Sequence, residues 1–149
     1  MKSKTWNNKG TSVVEMAIVL PLLLLLVFGI IEFSLALYDK AMITNASREG
    51  ARAGIVFRAA PGGAYNPLTD GEITAVVDGY LGTYLISFDA GDAASTTVSS
   101  ICSEAEGDSI TVTVNYTYTF LVLPNIAQLI TQSIMGPINM TAATTMRCE

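Results

Sequence analysis

An α+β fold, with one long N-terminal helix crossing a membrane and then packing on a small head, is predicted by three observations in the 149-residue chain. From Val13 to Ile31 the only charged side chain is Glu15, and Met16 to Ile31 carries no polar side chain at all. Apolar residues then recur at helical spacing with no proline between Pro21 and Pro61. Finally, Ser109 to Phe120 alternates Ile110, Val112, Val114, Tyr116, Tyr118 and Phe120 with polar residues, the period of a half-buried strand.

The chain opens on a basic leader, residues 1–10, with Lys2, Lys4 and Lys9 ahead of the apolar run and the acidic majority behind it. The positive-inside bias keeps such an N-terminus in the cytoplasm and exports the residues beyond the apolar run. Half the residues are hydrophobic and 14% are charged, with the surplus concentrated before Leu37, so the positive mean hydropathy reports a membrane segment. About 90 residues remain for a folded head, enough for one small core.

The long helix is expected over 11–57, with its membrane part at about 13–37. Nineteen or twenty residues at about 1.5 Å each cross a hydrocarbon layer of about 30 Å. Glu15 and Glu32 lie seventeen positions apart, roughly 25 Å along a helix, which places them near opposite interfaces. Phe33 and Tyr38 supply an outer aromatic belt. Pro21 removes its own N–H and displaces the carbonyl of Ala17, so a kink or loosening is expected there. That kink serves either a plain anchor or a hinge that changes state between lipid and an assembly. Past the membrane, Leu35, Tyr38, Ala41, Met42, Ala46, Ala53 and Ile55 with interspersed charges make an amphipathic half, and Glu49 and Arg52 are spaced for a surface ion pair.

The head, residues 58–149, opens on a loop at Pro61-Gly-Gly. Glu72 to Phe88 reads as a short helix, with Ile73, Val76, Val77, Tyr80, Leu81, Tyr84 and Leu85 on one side and Gly79 and Gly82 weakening it. Thr96 to Ser103, Ser109 to Phe120 and Ile138 to Glu149 read as three antiparallel strands, with the acidic stretch Ser103 to Asp108 as a hairpin turn and Leu121 to Met135 as a short helix or covering loop. Cys102 and Cys148 fall in the exported part. Export favours a disulfide there over two reduced buried thiols, tying the last strand to the strand before the hairpin.

Little in the chain points to catalysis. There is no histidine, two cysteines are too few for a structural zinc site, and neither a phosphate-binding glycine loop nor a Gly-x-Ser-x-Gly elbow occurs. The carboxylate pairs Asp70 with Glu72, Asp89 with Asp92 and Glu104 with Glu106 fall in loops and read as solvated surface. Asp89-Ala-Gly-Asp92 lacks the ligand count of a calcium loop. Sequons at Asn45, Asn115 and Asn139 are short enough to arise by chance. Removing residues 1–10 would take three of the eight basic residues and none of the thirteen acidic ones, moving the formal charge from −5 to −8, a balance that disfavours nucleic acid. No cofactor is expected.

An ordinary secretory signal also begins with basic residues before an apolar core, but that core runs about 7 to 15 residues. Here the run is longer, and the small-residue site Ala51-Arg52-Ala53 lies far beyond it, inside a helical segment.

The arrangement of Gly10, Thr11 to Val14, Glu15 and a long apolar helix resembles the class III prepilin signal of type IV pilin-like proteins. With Pro21, Phe28-Gly-Ile-Ile-Glu32-Phe and Asn45-Ala-Ser-Arg48-Glu-Gly-Ala-Arg52, it looks more narrowly like the TadE-like pseudopilins of the tight-adherence pilus system. The likeness is dense over about 9 to 57 and loose beyond; Met16 departs from the bulkier residue common after the glutamate. The resemblance implies cleavage by a prepilin peptidase between Gly10 and Thr11. The amine freed on Thr11 would then be neutralised by Glu15 of the same chain or of a neighbour, against the alternative of a glutamate solvated by headgroups. It also implies assembly roles for Pro21, Glu32, Arg48 and Arg52. The implied partners are the peptidase, other pilin-like subunits, an inner-membrane assembly platform and membrane lipid. The implied location is a bacterial inner membrane, N-terminus cytoplasmic and head extracytoplasmic, followed by a pilus or the cell surface. A minor pseudopilin is the expected role. The alternatives are a major filament subunit, an uncut membrane-anchored binding module and, least supported, an exported enzyme.

Overall fold

The computed structural model describes residues 9–59, 65–88, 93–99, 102, 108–125 and 136–148. Lys2 and Lys4 of the leader, the Pro61-Gly-Gly loop, Asp89 and Asp92, the turn residues 103–107, and residues 126–135 of the covering segment lie outside these. The elements are α1 (Lys9–Gly54), β1 (Arg58–Ala59), β2 (Tyr65–Asn66), α2 (Asp70–Tyr84), β3 (Ser95–Ser99), β4 (Ser109–Tyr118) and β5 (Ile138–Arg147).

The α+β expectation holds: a long apolar N-terminal helix, a short second helix and a three-stranded antiparallel sheet. The sheet order is β3-β4-β5, with Val98 opposite Val112 and Ala142 opposite Val114. On β4 the inward residues Ile110, Val112, Val114, Tyr116 and Tyr118 are all buried. The opposite sheet face is polar, its threonines and asparagines pairing across strands: Thr111 with Thr145 at 2.8 Å, Thr117 with Asn139 at 2.9 Å and Thr141 with Asn115 at 2.7 Å. The C-terminal half of α1 packs on β4 and β5, with α2 beside it over β3.

The two halves of α1 meet different surroundings. Its N-terminal half has a window of mean hydropathy 2.8 with none of it buried, and α1 is the one helix among the described residues long and apolar enough to cross a membrane. The secondary structure runs unbroken through Pro21. In the second half, Glu32, Ala36, Asp39, Ile43, Ala46, Ser47, Gly50, Ala51 and Gly54 are buried. They recur mostly at intervals of three and four and so form one stripe. The stripe is mostly small residues, which lets α1 approach both layers. A Cβ on Gly50 would collide with Val77 of α2 and lie 3.2 Å from Val112 of β4. One on Gly54 would collide with Ile110 and lie 3.1 Å from Ile73.

Element ends differ from the sequence reading for local reasons. The first helix stops at Gly54, short of Phe57, because Val56 N–H bonds back only three residues to Ala53, a tightening turn that leads into β1. The short hairpin of β1 with β2 has no counterpart among the sequence expectations. The second helix starts at Asp70 rather than Glu72, because Thr69 and Glu72 form a capping box. Thr69 N–H donates to Glu72 Oε2 at 2.9 Å, and with the Thr69 hydroxyl and the Arg58 guanidinium at 3.5 Å it holds the Glu72 carboxyl below its usual range. That helix ends at Tyr84, not Phe88, since Leu85 is extended and Ile86 N–H turns to donate to Asp39. The expected Glu49–Arg52 pair is absent; both side chains are exposed and Arg58 with Glu72 makes the ion pair instead. Cys102 and Cys148, just past β3 and β5, are joined by a disulfide with Cα atoms 5.7 Å apart.

Candidate assembly site on the long helix

Gly10, Thr11 and Glu15 lie in the first turns of α1 and are exposed. A Cβ on Gly10 would meet nothing within 4 Å, so no packing among the described residues accounts for a glycine there. Glu15 lies four positions after Thr11, which puts both on one helix face about 6 Å apart along the axis. Pro21 is exposed in the apolar half, and Arg48 and Arg52 are exposed on the amphipathic half. These residues face away from the head's core, so their side chains are presented outward.

Glu32 differs from all of these. Although seventeen positions beyond Glu15 at the end of the apolar run, its side chain is only 4% exposed. Its carboxylate accepts the backbone N–H of Val122 through Oε1 and that of Leu123 through Oε2, the latter at 3.1 Å. The Tyr118 hydroxyl donates to the Glu32 backbone carbonyl at 3.3 Å. Two charge-assisted bonds of this kind contribute roughly 1.5–3 kcal/mol each. They offset the desolvation that burial imposes on a carboxylate.

Seven positions on, Asp39 repeats the arrangement. It is fully buried, and its Oδ1 accepts the Ile86 N–H at 3.1 Å. The Tyr116 hydroxyl donates to the Ile86 carbonyl at 3.4 Å. Two acidic residues on one stripe of α1 thus clasp two separate stretches of head backbone, each supported by a tyrosine of β4. Farther along, the Lys40 ammonium donates to the Thr141 carbonyl, and Ser47 Oγ pairs with Thr144 Oγ1 at 2.8 Å, so polar contacts also fix β5 against α1.

The sequence reading singles out Glu32 but not Asp39. The missed signal is register: Glu32, Ala36, Asp39 and Ile43 share the spacing of the buried stripe, so Asp39 belongs with the core positions rather than with the surface charges. Among the described residues no cluster of His, Cys, Asp and Glu is arranged to hold a metal ion.

Comparison with known protein families finds a match. No curated protein and no solved structure matches the chain. The family model described as TadE-like protein matches residues 10–52, a segment that begins at Gly10 and contains Thr11, Glu15, Pro21, Glu32, Arg48 and Arg52. The helix that presents the outward residues and clasps the head is therefore the part of the chain that is similar to TadE-like proteins.

Proposed function

We propose that this protein is a pilin-like structural subunit, a minor pseudopilin, cut after Gly10 and drawn by its helix from a bacterial inner membrane into or onto a tight-adherence pilus. The TadE-like match is the observation that carries this reading, since its residues 10–52 coincide with almost the whole of α1. A family of pilus-associated proteins brings other pilus subunits as partners. The prepilin peptidase and the assembly platform enter as the machinery that a class III signal requires.

The exposed apolar half of α1 suits both of its proposed environments. In the membrane its surface faces acyl chains; in a filament the same surface faces other helices. Glu15 is the one carboxylate in this half, and a new amine on Thr11 gives it a partner one helical turn away. Leaving either charge unpaired in low dielectric is costly, which ties the register between subunits to the pairing. Arg48 and Arg52, outward on the head's side, are proposed as contacts to neighbouring subunits at the filament surface.

Glu15→Ala tests the assembly role. The variant is expected to insert in the membrane at wild-type level while its recovery in sheared pilus fractions falls several-fold. Unchanged recovery would remove Glu15 from this role, and an uncut binding module would show no dependence on Gly10 or Glu15 at all.

A further inference from the structure

We propose that the lower rim of the head, formed by Phe88, Leu121, Val122 and Ile138, docks into the phospholipid leaflet on the head's side of the membrane. The proposal rests on the reading of α1 as a membrane span. Its starting point is a mismatch in length. The exposed apolar surface of α1 runs from Val13 through Leu37 with Glu32 buried, about 37 Å of helix, against a hydrocarbon layer of about 30 Å.

The head covers the surplus only in part. Leu123 reaches down to Gly29, its Cδ2 lying 3.9 Å from where a Cβ would stand on that glycine. A hydrocarbon layer that begins at Val13 extends to about Glu32, and one that begins past Glu15 extends to about Leu35. Gly29 falls inside the layer in both cases. The segment at Leu123 therefore sits at the depth of acyl chains, and Val122, bonded to Glu32, sits beside it.

The rim has the chemistry that this depth requires. Leu121 is 55% exposed, Phe88 50% and Ile138 44%, and among the head's other described large apolar side chains only Tyr84, at 48%, is as open. An apolar cleft of about 190 Å³ opens between Phe28, Ile31 and Leu35 of α1 and Phe88, Tyr118 and Leu121 of the head. On the other flank Ile138 lines a second cleft together with Phe33 and Leu37, and Lys40 borders that cleft one turn higher on α1. That order, apolar below and a cation above, matches the passage from acyl chains to phosphates. Continuity with the membrane-crossing surface identifies the occupant as phospholipid. The Glu32 clasp then has a further consequence: it supplies backbone partners to a carboxylate at a level where water is scarce, and closes the Leu121–Leu123 segment over it.

Single tryptophans in the full chain, in a Trp6→Phe background and reconstituted in vesicles of dibrominated phosphatidylcholine, test the proposal. Leu121→Trp and the more conservative Phe88→Trp are expected to be quenched several-fold more than Thr97→Trp on β3, with Leu23→Trp in mid-helix as the reference for the span. If Leu23→Trp is quenched while both rim positions match Thr97→Trp, the docking proposal falls and the span stands. If Leu23→Trp is not quenched either, both fall. A rim screened from lipid by a second copy of the chain would give the first of these failures.

Discussion

Glu32 fastens one end of the packed half of α1 to the head. Its carboxylate is the acceptor for two consecutive backbone N–H groups of the Val122–Leu123 segment. Glu32→Ala leaves those part-buried donors without an acceptor, at a cost of up to about 1–3 kcal/mol for each group left unsatisfied. The expected result is a thermal midpoint in detergent lowered by several degrees, with earlier exchange of the Val122 and Leu123 amides than of the amides of β4. Equal exchange in variant and wild type would mean the clasp contributes nothing. The sequence places Glu32 near the far interface of the apolar run, with an assembly role given by the family resemblance. It does not name the partner, because backbone N–H groups ninety residues away carry no side-chain signature. Asp39 is hidden differently: flanked by Tyr38 and Lys40, it reads locally as an interfacial charge, and only the three-and-four spacing from Glu32 and Ala36 places it in the core.

Among the elements, α1 and β4 are legible because each has a strong and uninterrupted period. The apolar run fixes a helix through Ile31, and the alternation from Ile110 to Tyr118 fixes which face of the central strand is buried. The second helix is less well bounded. Its start is encoded in Thr69-x-x-Glu72, a capping-box pattern one turn upstream of the apolar face, whereas its end depends on a tertiary bond from Ile86 to Asp39. The small-residue stripe of α1 also has a sequence trace, in Ala46, Ser47, Gly50, Ala51 and Gly54, but only the packing says what it approaches. Gly50→Ala places a methyl against Val77 and Val112. Overpacking costs about 1–3 kcal/mol while the helix gains about 0.5–1 from losing the glycine, so a net loss of about 1–2 kcal/mol is expected. Denaturant unfolding of the detergent-solubilised chain checks it, and Gly79→Ala, where a Cβ would meet nothing within 4 Å, is the control expected to stabilise.

At the scale of the molecule, α1 is a shared part: half of it is an outward apolar surface, and the other half is a wall of the head's core. The contacts run the length of that wall, from Glu32 with Tyr118 to Gly54 with Ile110, so β4 lies antiparallel to α1. The disulfide sits at the far end from the Glu32 clasp, and together they fasten both ends of the sheet. It closes a loop of 46 residues, for which the chain-entropy model gives roughly 4 kcal/mol. Replacing both cysteines by alanine is expected to destabilise the head by about 2–4 kcal/mol, read as a lower denaturant midpoint in the paired variant. A midpoint unchanged by the double replacement would count against the staple. At the other end of the chain, processing is proposed to turn Thr11 into a charged terminus beside Glu15. Intact-mass and N-terminal analysis of the protein expressed with and without a prepilin peptidase is the most direct measurement. An uncut Met1 form is expected without the enzyme and, with it, a chain lighter by residues 1–10 that begins at Thr11; an uncut chain in both would overturn processing after Gly10.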